Sequence, residues 1–178
     1  SHDYYLAVRV LRLAKQLAIK EGGDLEVLIP AAIFHDVVSY PKNSAKSHLS
    51  AEHSALFASK VLLRIKSYPK DKIPKVEKVI KQHSLSAGLQ RSSVESKILF
   101  DADKLESSGA IAVMRTFASA GLLNKILIHP TDPFCKNRQP DDQRFGLDLF
   151  FSRLLKIPKK LLTPSAKKLV RQRHQFLK

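Results

Sequence analysis

The run from Ala31 to Asp36, Ala-Ala-Ile-Phe-His-Asp, constrains the fold of this chain more than any other stretch. It ends an apolar helical segment on an imidazole and a carboxylate, side by side, where a packed core offers hydrocarbon. A polar group buried without a partner costs roughly 2–7 kcal/mol, and an ion costs more. A fold that takes in His35 and Asp36 must therefore supply a hydrogen-bonded salt bridge or a metal ion.

The rest of the chain is read as helix. Leu6, Val10, Leu13 and Leu17 make one stripe of a helix from Asp3 to Glu21, which Gly22-Gly23 stops. Asp24 has the chemistry of an N-cap for a helix through Val27, Leu28, Ala31 and Ala32 to His35, with Pro30 expected to kink it or to force a turn before it. A loop over 40–47 precedes a long helix from Leu49 to Ile65. Pro74 suits the first turn of a helix striped by Ile73, Val76, Val79, Ile80 and His83. A helix from Val94 places Ile98, Asp101 and Leu105 in register, and another runs from Gly109 to Ala120 with Gly121 as its end. The stretch from Ile128 to Asp142, with Pro130, Pro133 and Pro140, is long for a connection, hence functional or mobile. Phe145 to Ile157 reads as amphipathic, and Thr163-Pro164 caps a last helix to Leu177. With no period-two strand and no internal repeat, the expectation is an all-α fold.

Composition narrows the class. At 178 residues the chain suits one domain with a sizeable core, and no apolar run approaches the roughly 18 residues of a membrane span. No signal peptide is read, and a single cysteine, Cys135, fits a reducing, cytoplasmic setting. Because the chain starts at Ser1 rather than Met, an upstream segment is expected. The 31 Lys and Arg against 16 Asp and Glu give a net charge of +15, which attracts polyanions. One basic run spans Lys60 to Lys81; a second follows Asp148, after which no acidic residue occurs. Such runs are commonly solvated helix faces; non-specific nucleic-acid binding is the other reading, without a recognition motif to support it.

Four residues share one property, a metal-competent side chain on the apolar stripe of a helix: His2, His35, Asp36 and Asp101. Two imidazoles and two carboxylates make a mixed site that suits Mn, Fe, Co, Ni, Zn or Mg. Taken singly, each could equally be a hydrogen-bonded core residue or half of an ion pair.

As a set they resemble the H…HD…D pattern of the HD-domain metal-dependent phosphohydrolase superfamily. The resemblance continues through Phe34-His35-Asp36-Val37-Val38, Pro41-Lys42-Asn43, His83-Ser84 and Asp101-Ala102-Asp103-Lys104-Leu105-Glu106. Gly109-Ala110, Arg115-Thr116-Phe117, Asp132-Pro133-Phe134 and the run from Phe151 to Lys156 carry it over nearly the whole chain, 1–178. It is nearest to small single-domain bacterial HD hydrolases, some of which cleave nucleoside triphosphates to monophosphate and pyrophosphate. It implies a helical bundle with the metal site between central helices, one divalent ion on His2, His35, Asp36 and Asp101, and hydrolysis by metal-activated water. Relatives often carry a second histidine four residues after the first, where this chain has Leu6.

The expected substrate is a small anionic phosphate, a nucleotide by preference. Lys42 and Asn43 lead as phosphate contacts, followed by Lys104, Arg115 and Arg138. Arg115 is otherwise an ion-pair partner for Glu106 or Asp103, and Arg138 a tie for its own loop. His48 and Glu52, on the helix after the HD loop, are candidates to accept a proton or orient water, and the inward-facing His83 reads either as a residue for substrate contact or proton transfer or as a hydrogen-bonded core histidine. Asp103 should point away from Asp101, since i and i+2 do not share a helix face. Two other readings stand beside the enzyme: a non-catalytic HD module that senses a nucleotide, and a basic nucleic-acid-binding protein.

Overall fold

A computed structural model describes residues 4–41, 44–84 and 88–177. His2, Lys42 and Asn43 lie outside the described residues. The fold is all-α, and among the described residues the sole β feature is an isolated bridge between Ile126 and Phe145. The chain gathers into two compact units, Ser1–Asp103 and Lys104–Lys178.

The first unit holds α1 (Tyr4–Glu21), α2 (Leu25–Phe34), α3 (Ser50–Arg64), α4 (Ile73–His83) and most of α5 (Val94–Glu106), with 3-10 turns at Ser47–Leu49 and Lys70–Lys72. α3 packs on α4, α1 on α2 and α2 on α4. The stripes read from sequence are the buried ones: Leu6, Val10, Leu13 and Leu17 from α1, Val76, Val79 and Ile80 from α4. Each large aliphatic side chain buried this way contributes about 1.5–3 kcal/mol.

Local chemistry sets the turn between α1 and α2. Gly22 takes the left-handed conformation (φ 79°), and its N–H donates to Ala18 O at 2.9 Å. Gly23 is needed for a different reason, since a Cβ there would stand 2.8 Å from both Ile98 Cδ1 and Leu28 Cδ1. Asp24 then caps α2 by accepting from Glu26 N at 2.9 Å.

Pro30 does not break α2, which runs unbroken past it. A proline cannot donate to the carbonyl four residues back, here that of Glu26. That carbonyl accepts instead from the Tyr68 hydroxyl at 2.9 Å. The helix continues because a side chain 42 residues away replaces the missing donor.

The second unit carries the end of α5, then α6 (Ala110–Leu122), α7 (Asp148–Ser152), α8 (Ile157–Lys160) and α9 (Pro164–Phe176), with a 3-10 turn at Leu154–Lys156. Gly121 stays inside α6, and the reversal falls at Asn124, in the left-handed region at φ 51°. The amphipathic stretch expected from Phe145 to Ile157 is broken into α7, a 3-10 turn and α8. Pro158 forces this, because in a continuous helix its ring would collide with the Leu154 carbonyl. Thr163 caps α9 as its chemistry predicts, accepting from Ala166 N.

The proline-rich connection is tied down by its own polar groups. Arg138 forms a two-pronged ion pair with the fully buried Asp148, and its Nε donates to Asp132 O at 3.1 Å. Asp148 also accepts from Asp141 N at 2.6 Å. Asp142 holds Arg153 and Ser152.

Candidate metal centre

Two helix ends and the two residues after one of them build the site. His35 is the C-cap of α2 and His83 the last residue of α4. Helix C-termini leave their final carbonyls without intrahelical donors. His35 Nδ1 donates to Ala32 O at 2.8 Å, and His83 Nδ1 donates to Ile80 O at 2.6 Å. Each imidazole thereby closes its own helix and is fixed in the tautomer that leaves Nε2 as an acceptor.

Both Nε2 atoms face one carboxylate. His35 Nε2 lies 3.6 Å from Asp36 Oδ2, and His83 Nε2 lies 3.6 Å from Asp36 Oδ1. The rings meet edge to face, with centroids 5.2 Å apart. One atom from each of the three side chains falls within 4.8 Å of the others. A separation of 3.6 Å is too long for a direct hydrogen bond, and it suits atoms that each sit about 2.1 Å from a shared ion. His35 Nε2 is buried with no hydrogen-bond partner, which leaves a lone pair in need of an electrophile. The carbonyl ends of two helices add partial negative charge of the sign that favours a cation. This donor set fits a divalent first-row ion.

The electrostatics separate the two imidazoles. Burial pushes His35 down, the charge of His83 adds to this, and the fields of Asp36 and Asp103 oppose it without prevailing. Burial also pulls on His83, but the Asp36 carboxylate and the charge of Asp103 outweigh it, so its basicity is raised. His83 is the more basic of the two.

The segment after the HD pair is secured to α3 by hydroxyls. Buried Ser54 Oγ accepts from Val38 N and donates to Val38 O, both at 3.1 Å, and Ser50 Oγ accepts from Tyr40 N at 3.2 Å. The Tyr40 hydroxyl is hydrogen-bonded to His53 Nδ1 at 2.8 Å. His48, in the 3-10 turn before this helix, and Glu52, in its first turn, are exposed and are not part of the His35, Asp36 and His83 group.

Asp101 is fully buried on α5 and acts electrostatically on Arg91, whose guanidinium stacks 4.0 Å over the Phe100 ring and donates to Ser84 O. Asp103, two residues on, is half-buried where Asp101 is fully buried, and its charge acts with that of Asp36 to favour the protonated form of both imidazoles. Nothing in the spacing signals Arg91. Of the remaining predicted phosphate contacts, Lys104, Arg115 and Arg138 belong to the second unit. There Arg115 pairs with Glu106, and Arg138 with Asp148.

The HD-domain family matches residues 7–108, more than half of the chain, and the chain belongs to that family. It is 27% identical to YpgQ of Bacillus subtilis strain 168 over 99% of its own length and 79% of that protein's. The crystal structure of YpgQ in complex with ADP superposes with a TM-score of 0.73, at 27% identity and covering 99% of this chain and 81% of that one. An HD-superfamily hydrolase from Bacillus thuringiensis gives a TM-score of 0.70, also at 27% identity, over 99% of this chain and 80% of that one. The chain thus has the fold of the HD-superfamily hydrolases.

Proposed function

We propose that this protein is a metal-dependent phosphohydrolase that acts on a nucleotide or a closely related small phosphate ester. The observation that carries the reading is the pair of buried Nε2 atoms aimed at Asp36, each fixed by an Nδ1 hydrogen bond to its own helix. The ADP bound by YpgQ supports the nucleotide as ligand.

His35, Asp36 and His83 would hold the ion, with His2 and Asp101 as the further ligands that the family pattern implies. A divalent cation supplies there a Lewis acid for a phosphoryl oxygen and lowers the pKa of water into the neutral range. Asp36 balances the charge and, by facing both imidazoles, keeps the ligand atoms together. Asp103 adds a second negative field at both imidazoles. Lys42, Asn43 and Lys104 are assigned to the phosphate oxygens. Arg115 and Arg138, each engaged by a carboxylate, are assigned to the architecture of the second unit. His48 and Glu52, exposed next to the HD segment, are assigned to taking up the proton or orienting the attacking water.

A nucleotide sensor would also bind ADP, so turnover is the readout that separates the two. The test is a panel of nucleoside mono-, di- and triphosphates with added Mn, Co, Ni or Mg, scored separately for phosphate and pyrophosphate. Release is expected to require the metal and to disappear in Asp36→Ala, with far-UV circular dichroism unchanged. Glu52→Gln is expected to lower turnover at unchanged metal affinity. Metal binding without any release would reject hydrolysis in favour of sensing, and full activity in Asp36→Ala would reject the site.

A further inference from the structure

Each basic run has two cations engaged by other groups and six that enter no ion pair among the described residues; the runs differ in that Asp71 and Glu77 lie within the first, whereas no acidic residue lies within the second. In the first, Lys70 Nζ donates to the carbonyls of Leu62, Leu63 and Ile65 at the end of α3, and Lys72 holds both Asp24 and Glu26. In the second, Arg153 is held by Asp142, and Arg173 donates to Leu105 O at 2.7 Å. Lys156, Lys159, Lys160, Lys167, Lys168 and Arg171 remain. All six are exposed, and none takes part in an ion pair among the described residues. No acidic residue follows Asp148 to offset them.

We propose that α8 and α9 form a surface that grips the phosphate backbone of a polynucleotide without reading its sequence. Unneutralised cations on a rigid helical surface keep their full field toward a polyanion, and releasing the polyanion's condensed counterions drives association. Lys167 and Arg171, four residues apart, share one side of α9, while Ala166 and Val170 are buried on another. That burial argues against a lipid surface, because an in-plane membrane helix needs a free apolar face. In 149–177 the exposed large apolar residues are Leu162 and Phe176 alone. A single exposed aromatic also makes no stacking platform for unpaired bases, so the contact is to phosphates and favours the higher charge density of a duplex. The surface goes beyond the hydrolytic reading and does not depend on it.

The test uses the full chain and labelled 20-mer DNA, duplex and single-stranded, with fluorescence anisotropy between 50 and 200 mM salt. Six cations at about 0.9 per phosphate predict a log–log slope of about −5 on duplex and about a thousandfold loss of affinity over that range. Lys156→Gln, Lys160→Gln, Lys167→Gln and Arg171→Gln combined are expected to reduce the slope by about 3 to 4. The same number of neutralisations on the first unit, Lys60→Gln, Arg64→Gln, Lys75→Gln and Lys78→Gln, is expected to leave it near its starting value. Circular dichroism checks that both variants are folded. Equal losses in the two variants would reduce the effect to net charge and overturn the proposal. So would no binding at 50 mM salt, or tighter binding to phosphatidylserine vesicles than to duplex at equal phosphate. Asp36→Ala is expected to retain DNA binding whether or not nucleotides are hydrolysed, so the two readings fail separately.

Discussion

At the scale of single residues, His83 has more work than its position on an apolar stripe suggested. The sequence offered it as a proton-transfer or substrate residue, or as a core histidine. The structure turns its Nε2 to the same carboxylate that His35 faces. We expect His83→Ala to weaken Mn or Co binding at least tenfold, read as loss of the stabilisation that an ion gives the native state, about 2.7 kcal/mol at a hundred times Kd. His53→Ala is the control, since that ring is engaged by Tyr40. An undiminished thermal shift in His83→Ala would remove His83 from the ligand set. His35 and Asp36 were legible because a polar pair at the end of an apolar helix is expensive. The action of Asp103 on both rings was not legible, because a rule about shared helix faces says nothing of a field that acts through several ångströms of protein interior.

At the scale of elements, the helix ends were legible and the interruptions were not. Asp24, Pro74 and Thr163 act on residues within one turn, so their chemistry can be read where it stands. Pro30 could not be read this way, because its tolerance depends on Tyr68. Tyr68→Phe is expected to destabilise the protein by about 1 kcal/mol in urea unfolding, the usual net worth of one hydrogen bond. In a Pro30→Ala background the restored N–H can serve the Glu26 carbonyl, so most of that cost should vanish. An undiminished cost there would show that the hydroxyl acts through some other contact. The break at Pro158 has the opposite outcome from Pro30, and there the helix restarts as α8.

At the scale of the whole molecule, the all-α class and the HD family were legible from periodicity and from a few polar residues. Which cations stay free was not, since that depends on the carboxylates and carbonyls each one finds in three dimensions. Acid should expose this pairing. The Arg138 guanidinium holds the Asp148 carboxyl below its ordinary value of 3.8, against the pull of burial. A carboxyl lowered in the folded state stabilises fully above the unfolded value, and that stability is lost as pH falls through the folded one. Unfolding by urea should therefore become easier as pH drops below about 4. Asp148→Asn should be less stable at pH 7 and show a shallower fall, and an unchanged pH slope would refute the assignment. A last consequence concerns change over generations and in directed evolution. His35 and His83 take their orientation from the carbonyls of Ala32 and Ile80, and main-chain atoms are the same in every residue. Side chains around the pair are free to drift, or to be randomised in a library for new substrates, as long as the last turns of α2 and α4 stay wound.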